Sequence, residues 1–313
     1  MITCSYHRVV TKLSIAAAAV DWYSIGARDL PWRRPGVSPW GVLVSEIMLQ
    51  QTQVSRVEPV WTAWCSRWPT PASLAAEPVG EAIRAWGRLG YPRRAVRLHS
   101  CATASVQRHG GRVPESLTEL LALPGVGTYT ARAVAVFAFR QRHPVVDTNV
   151  RRVVARAVTG SPAAGPATTG ADLAGVEQLL PADPESAAAT SIALMELGAL
   201  LCTARAPRCP ECPLSGSCAW RLAGSPAPTP AAATPDAPAA NARGQRRSQR
   251  YLGTDRQVRG LLLAVLREAT DPVPTARLDL VWPDAEQRAR TLASLVADGL
   301  AHQVGTGHYA LPA

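Results

Sequence analysis

The feature that most restricts this chain is a run of four cysteines, Cys202, Cys209, Cys212 and Cys218, spaced C-x6-C-x2-C-x5-C. Four thiols so close in sequence can converge on one centre, which forces the backbone between them into a tight loop. Two disulfides, a Cys4 zinc or an iron–sulfur cluster would each satisfy such a loop. Compartment bears on the choice. The sequence has no apolar run of about 18 residues or more, the length that a membrane-spanning helix needs. The segment Leu13–Val20 after Lys12 has a faint leader-like look, but it is short and continues into Asp21-Trp22-Tyr23 with helical spacing, so it reads as a first helix. A cytoplasmic protein is expected, which disfavours disulfides and leaves a metal centre. The other cysteines, Cys4, Cys65 and Cys101, read as small buried hydrophobes.

Residues 12–220 repeat their apolar positions at spacings of three and four, with short breaks marked by Pro or Gly and almost no strand-like alternation. With 47% hydrophobic residues the chain can bury a real core. One helix is expected over about 40–54, with Leu43, Ile47 and Val54 on one face and Glu46, Gln50 and Gln53 on another. Ser116-Leu-Thr-Glu119 reads as a capping box before a short helix, and a further helix is expected from Thr128 to Phe139. From Ser225 to Ala242 the composition collapses to Ala, Pro and Thr, as in an extended linker, and a basic cluster (Arg243, Arg246, Arg247, Arg250) follows. The tail reads as helices over Arg256–Arg267, Ala276–Val281 and Asp284–Ala297, then strand-like pieces over Ala301–Val304 and His308–Leu311. Three helices followed by a hairpin make a winged-helix pattern. The expected domains are therefore 12–220, a linker over 221–250, and 251–313.

The formal charge is +10 with a sequence pI near 9.8, and Lys12 is the only lysine, so the positive charge is nearly all arginine. Such a balance points to a polyanionic partner, nucleic acid by default.

Five motifs occur in order: Leu30-Pro-Trp-Arg33, Ser45-Glu-Ile-Met-Leu-Gln-Gln-Thr-Gln-Val54, Trp86-Gly-Arg-Leu-Gly-Tyr91, Leu123-Pro-Gly-Val-Gly-Thr-Tyr-Thr-Ala131 and Val146-Asp-Thr-Asn-Val150. With the cysteine loop they resemble the adenine DNA glycosylases of the helix-hairpin-helix superfamily, over roughly residues 20–220. The resemblance implies an all-α, two-lobed helix-hairpin-helix core with a [4Fe–4S] cluster on Cys202, Cys209, Cys212 and Cys218, and the small winged-helix-like domain added behind it.

The resemblance also assigns roles. Glu46 would protonate an extruded adenine at N7 and later activate water, its pKa raised by apolar surroundings. Asp147 would stabilise the cationic sugar, Asn149 would orient these groups, and Tyr129 would pack at the anomeric side. Two carboxyls, one acid and one anionic, suit glycosidic cleavage on chemical grounds as well. Read from the residues alone, Asp147 is a helix N-cap, which is compatible. Gln51 would fill the vacated stack with Gln50 beside it, and Tyr91 would intercalate next to the partner base. Gly125 and Gly127 would bring backbone N–H groups to DNA phosphate, and Arg33 joins the DNA-contacting set. Bifunctional relatives carry a lysine where Tyr129 stands and cut the strand through a Schiff base, so strand cleavage is not expected here.

The expected partner is double-stranded DNA holding an A:8-oxoguanine or A:G mispair, bound by a monomer. Three departures bear on this. Pro92 replaces the second Tyr of the family's Gly-Tyr-Tyr, Thr148 stands where Asp-Gly-Asn is usual, and the Nudix-like domain that reads 8-oxoguanine has no counterpart after residue 243. A thymine–guanine mismatch glycosylase and a non-enzymatic iron–sulfur DNA-binding regulator are the alternative readings. The winged-helix piece suits DNA or protein docking equally.

Overall fold

The computed structural model describes residues 3–165, 167–227 and 251–313. The chain divides into two compact units, one built from residues up to 46, 114–122 and 126–227, the other from 47–113, 123–125 and 251–313. The helices in order are α1 (Thr3–Gly26), α2 (Pro39–Leu49), α3 (Val54–Arg67), α4 (Pro71–Ala75), α5 (Val79–Trp86), α6 (Arg93–His109), α7 (Leu117–Leu121), α8 (Thr128–Phe139) and α9 (Thr148–Val154). They continue with α10 (Gly170–Glu177), α11 (Pro184–Leu200), α12 (Ala219–Leu222), α13 (Asp255–Glu268), α14 (Thr275–Asp279) and α15 (Ala285–Ala297). Three short strands complete the chain: β1 (Val273–Pro274), β2 (His302–Gln303) and β3 (His308–Ala310).

In the first unit, α1, α9 and α11 pack through a common core that includes Ile15, Ala19, Val150, Val153, Leu194 and Leu197. Leu214, from within the cysteine loop, is buried in that same core, and Cys202, Cys212 and Cys218 pack against it. α9 and α11 approach closely because residue 198 is glycine: a Cβ there would stand 2.8 Å from the Asn149 carbonyl oxygen. In the second unit, Trp64 makes edge-to-face contacts with Trp68 and Trp86 at centroid distances of 4.7 and 5.7 Å. Truncating a buried aromatic of this kind costs about 3–5 kcal/mol.

The C-terminal residues form the expected three helices and hairpin, with one strand more than the hairpin alone. β1 joins the edge of the hairpin, giving an antiparallel sheet in the order β1-β3-β2, with Val273 opposite Tyr309 and His302 opposite Ala310. Val258, Leu262 and Leu266 form the buried stripe of α13, a spacing of four that keeps one face inward. The Gly80 N–H donates to the Pro312 carbonyl at 2.8 Å, and Arg267 Nε donates to the Ile83 carbonyl at 2.9 Å. A Cβ on Gly80 would lie 2.5 Å from that same Pro312 oxygen, so only glycine permits the contact.

Two local expectations are corrected. The helix expected over 40–54 stops at Leu49, and a new one starts at Val54. The cause lies far along the chain. The buried Arg94 guanidinium takes the carbonyls of Ile47, Met48 and Gln50 at 2.9, 2.8 and 2.6 Å, ending the helix, and Gln51 follows in the left-handed region at φ 54. Gln50 and Gln53 therefore do not share a helical face with Glu46, and Val54 belongs to α3. Ser116 does stand at the N-cap of α7, but its side chain accepts no capping hydrogen bond, so the capping box is not formed. The linker residues 228–250, with Arg243, Arg246, Arg247 and Arg250, and the Cys4 side chain lie outside the described residues.

Candidate active site

Glu46 lies near the end of α2, a helix whose only other hydroxyl or charged residue is Ser45. It is 7% exposed. Burial pushes its carboxyl up to about 7, Arg33 and a hydrogen bond from Tyr129 pull it down, and Asp147 raises it further. The Tyr129 phenol is itself driven well above its ordinary value, by burial first and then by the Glu46 and Asp147 charges. Glu46, Tyr129, Asp147 and Arg33 thus form one electrostatic cluster within the first unit.

Asp147 caps α9. Its Oδ1 accepts from the Val150 N–H at 2.7 Å, and its Oδ2 accepts from Asn149 Nδ2 at 2.8 Å. Burial raises its carboxyl, while these donors and Arg152 favour the anion. The chain of contacts continues. Asn149 Oδ1 accepts from Arg152 at 2.8 Å, and Arg152 donates to the carbonyls of Gly198 at 2.8 Å and Cys202 at 2.6 Å. One unbroken polar path therefore links Asp147 to the first residue of the cysteine loop.

A buried ion cluster stands behind Arg33. Glu196, on α11 and fully buried, accepts from Arg28 Nε at 2.6 Å and from Arg33 at 2.8 Å. Burial opposes its charge, but the two guanidiniums more than offset this and hold the carboxyl at about 2. Arg33, expected at DNA, here points into this cluster. Sequence reading missed Arg28 and Glu196; the available signal was a single carboxylate at the centre of the otherwise uncharged stretch Ser186–Leu200.

Gln50, Gln51, Tyr91 and Gly125 belong to the second unit. Gln51 and Tyr91 are both non-glycine residues in left-handed conformations, at φ 54 and 48. Tyr91 is 49% exposed. Arg94 fastens both segments, since beside the Gln50 carbonyl it also holds the Gly90 carbonyl at 3.1 Å. Gly125 needs its left-handed φ of 79. Gly127 is different: it is extended at φ −92, and open space lies where its side chain would be.

The four loop cysteines are free of disulfides. Burial raises the Cys212 thiol to about 11, and Cys202, Cys218 and Cys209 each raise it further, so the four sulfurs sense one another. Among the described residues no three His, Cys, Asp or Glu side chains are already drawn together as a metal site. A soft, all-sulfur donor set on a loop anchored by Leu214 nonetheless fits an iron–sulfur cluster. Arg156 adds an N–H···S contact to Cys202 Sγ at 3.4 Å.

The family model of HhH-GPD superfamily base excision DNA repair proteins matches residues 44–175, and that of the iron–sulfur binding domain of endonuclease III matches residues 202–218. An adenine DNA glycosylase of Mycolicibacterium smegmatis is 57% identical over 93% of this chain and 94% of its own length. The chain belongs to the adenine DNA glycosylase family. The human adenine DNA glycosylase is 40% identical, over 69% of this chain and 42% of its own length. Among solved structures, a thermostable thymine-DNA glycosylase superposes with a TM-score of 0.62 at 26% identity, over 68% of this chain and 97% of that one. A non-covalent endonuclease III–DNA complex, at TM-score 0.56 and 23% identity over 67% of this chain and 94% of that one, shares the fold. As in the family, the cysteine loop is an iron–sulfur segment, with a [4Fe–4S] cluster as its cofactor. No helix among the described residues is long and apolar enough to cross a membrane.

Proposed function

We propose that this adenine DNA glycosylase hydrolyses the N-glycosidic bond of adenine mispaired with 8-oxoguanine or guanine in double-stranded DNA, acting as a cytoplasmic monomer. The observation that carries the reading is the pair of unlike carboxyls. Burial raises both carboxyls, but it carries Glu46 to about 7, whereas Asp147 meets N–H donors from Val150 and Asn149 that favour its anion. Unlike environments on two carboxyls are what acid and anion roles require.

The steps follow from those groups. Glu46 delivers its proton to adenine N7, and the C1′–N9 bond breaks with its electron pair leaving on the neutral base. The cationic C1′ is stabilised by the Asp147 carboxylate, which Asn149 holds in place. Water then adds to C1′ and returns a proton to Glu46, regenerating the enzyme. Tyr129 orients Glu46 through its hydroxyl and packs beside the sugar. It offers no amine, and with Lys12 the only lysine of the chain, cleavage is monofunctional. Gln50, Gln51, Tyr91, Gly125 and Gly127 supply the DNA contacts, while Arg33, engaged by Glu196, steadies the acid site instead. Cys202, Cys209, Cys212 and Cys218 would hold the [4Fe–4S] cluster, whose iron–sulfur bonds would tie their loop together. Residues 12–220 form the catalytic core, 221–250 a linker and 251–313 the added domain.

A panel of duplexes carrying A:8-oxoguanine, A:G, T:G and thymine glycol, treated with enzyme and then alkali, tests this. Strand breaks are expected at adenine only, and only after alkali. Breaks that arise at thymine, or that persist in Glu46→Gln, would overturn it. Without its acid, Glu46→Gln is expected to lose about 10²–10⁴-fold in rate.

A further inference from the structure

The second unit holds a cleft of about 1140 Å³, in which Gln50, Gln51 and Tyr91 face residues of the C-terminal segment that have been given no role. Its lining residues come from two segments distant in sequence, 50–97 and 251–298, and include eight arginines against a single carboxylate, Asp298. That carboxylate is engaged: it pairs with Arg259 at 2.6 Å and with Arg93 at 3.3 Å. Asp255, next to Arg256 in sequence, is paired with Arg290 at 2.9 Å. Arg88, Arg97 and Arg256 have no carboxylate partner among the described residues. A concave wall of unneutralised guanidiniums concentrates positive potential where a polyanion would enter.

The cleft also holds an aromatic platform. Arg256, on the first turn of α13, lies with its Cζ 5.7 Å from the Tyr91 ring centroid, and Arg94 lies 5.5 Å from the same centroid. Tyr91 and Gln51, two of the left-handed residues described above, both line this cleft. Backbone strain that the surroundings maintain gathers at ligand sites. The Gly80–Pro312 contact fixes the C-terminal domain against α5, so α13 is held as a wall and not tethered loosely.

We infer that the C-terminal domain adds a phosphate contact to this cleft: Arg256 holds the DNA phosphate beside the base that the proposed reading already places on Tyr91. The inference rests on the DNA reading above. It gives the winged-helix-like domain a direct part in gripping DNA and assigns that part to one exposed side chain, whose replacement disturbs no core.

Equilibrium binding of a short mispaired duplex, followed by fluorescence anisotropy over a range of salt, tests it in the full chain. Removing one phosphate contact lowers the slope of log Kd against log salt by about 0.9. Arg256→Ala is expected to weaken binding about 5–10-fold at moderate salt with that drop in slope, Arg256→Glu to weaken it further, and Arg256→Lys to restore the slope. Tyr91→Ala combined with Arg256→Ala is expected to lose less than the sum of the two single losses, because both meet one nucleotide. Wild-type affinity and slope in Arg256→Glu would overturn the inference while leaving the DNA reading intact, and so would strictly additive losses. A wild-type chain that fails to bind the duplex would overturn both.

Discussion

Replacing Glu46 with glutamine separates the fold's interest from that of the reaction. Glutamine keeps the shape and a hydrogen-bonding oxygen for Tyr129 but never ionises. In the folded protein burial lifts the Glu46 carboxyl from 4.5 to about 7. A pKa raised on folding means that the neutral form is the one the fold favours. The benefit is complete below the unfolded value, declines as pH rises, and is gone above about 7. At about 1.36 kcal/mol per unit, the ionised carboxylate costs the fold about 3 kcal/mol on the alkaline side. Glu46→Gln removes that cost. The variant and the parent should unfold together near the acid end of the window, and the variant should gain progressively as pH rises. At roughly 2–4 °C per kcal/mol for a chain of this size, the gain at mildly alkaline pH is on the order of 6–12 °C in the apparent midpoint. Differential scanning calorimetry of both proteins across the window measures it. Coincident midpoints at alkaline pH, or a gain that does not change with pH, would refute the account of Glu46 as an acid made by desolvation.

The same titration sets the reaction: single-turnover adenine release should fall as pH rises through about 7, since the proton donor is then lost, and a flat profile would count against Glu46 as the acid. Asp147→Asn should keep the helix cap, because asparagine caps as well as aspartate, yet lose most of the excision rate; circular dichroism beside the rate assay separates the two effects. Glu196→Gln should destabilise the chain by about 1.5–3 kcal/mol in urea titration, since the half-buried Arg28 and Arg33 lose the charge-assisted hydrogen bonds of their counter-ion, and a change below about 0.5 kcal/mol would contradict the geometry. Cys212→Ala should abolish the visible absorption of the purified protein and expose residues 202–218 to proteolysis.

Much of this fold was legible where information is local. α8 runs over Thr128–Phe139, as its apolar spacing predicts, and α13 and α15 fall within one residue of their predicted bounds. Asp147 sits at an N-cap because a short carboxylate before Val150-Arg-Arg-Val153 has little better to do. The readings that went astray depend on partners far along the chain. α2 ends early because Arg94, more than forty residues on, captures its last carbonyls. β1 is two residues long and exists only because β3 offers it an edge. At the site, Glu46 and Asp147 announced themselves through motif and carboxyl chemistry. Glu196 did not, since the charges that make it tolerable come from Arg28 and Arg33, more than 160 positions earlier.

The polar path from Asp147 through Asn149 and Arg152 to Cys202 ties two distant stretches of chain into one mechanical unit. A disturbance at the start of the cysteine loop is therefore expected to travel through three side chains and reach the carboxylate that caps α9.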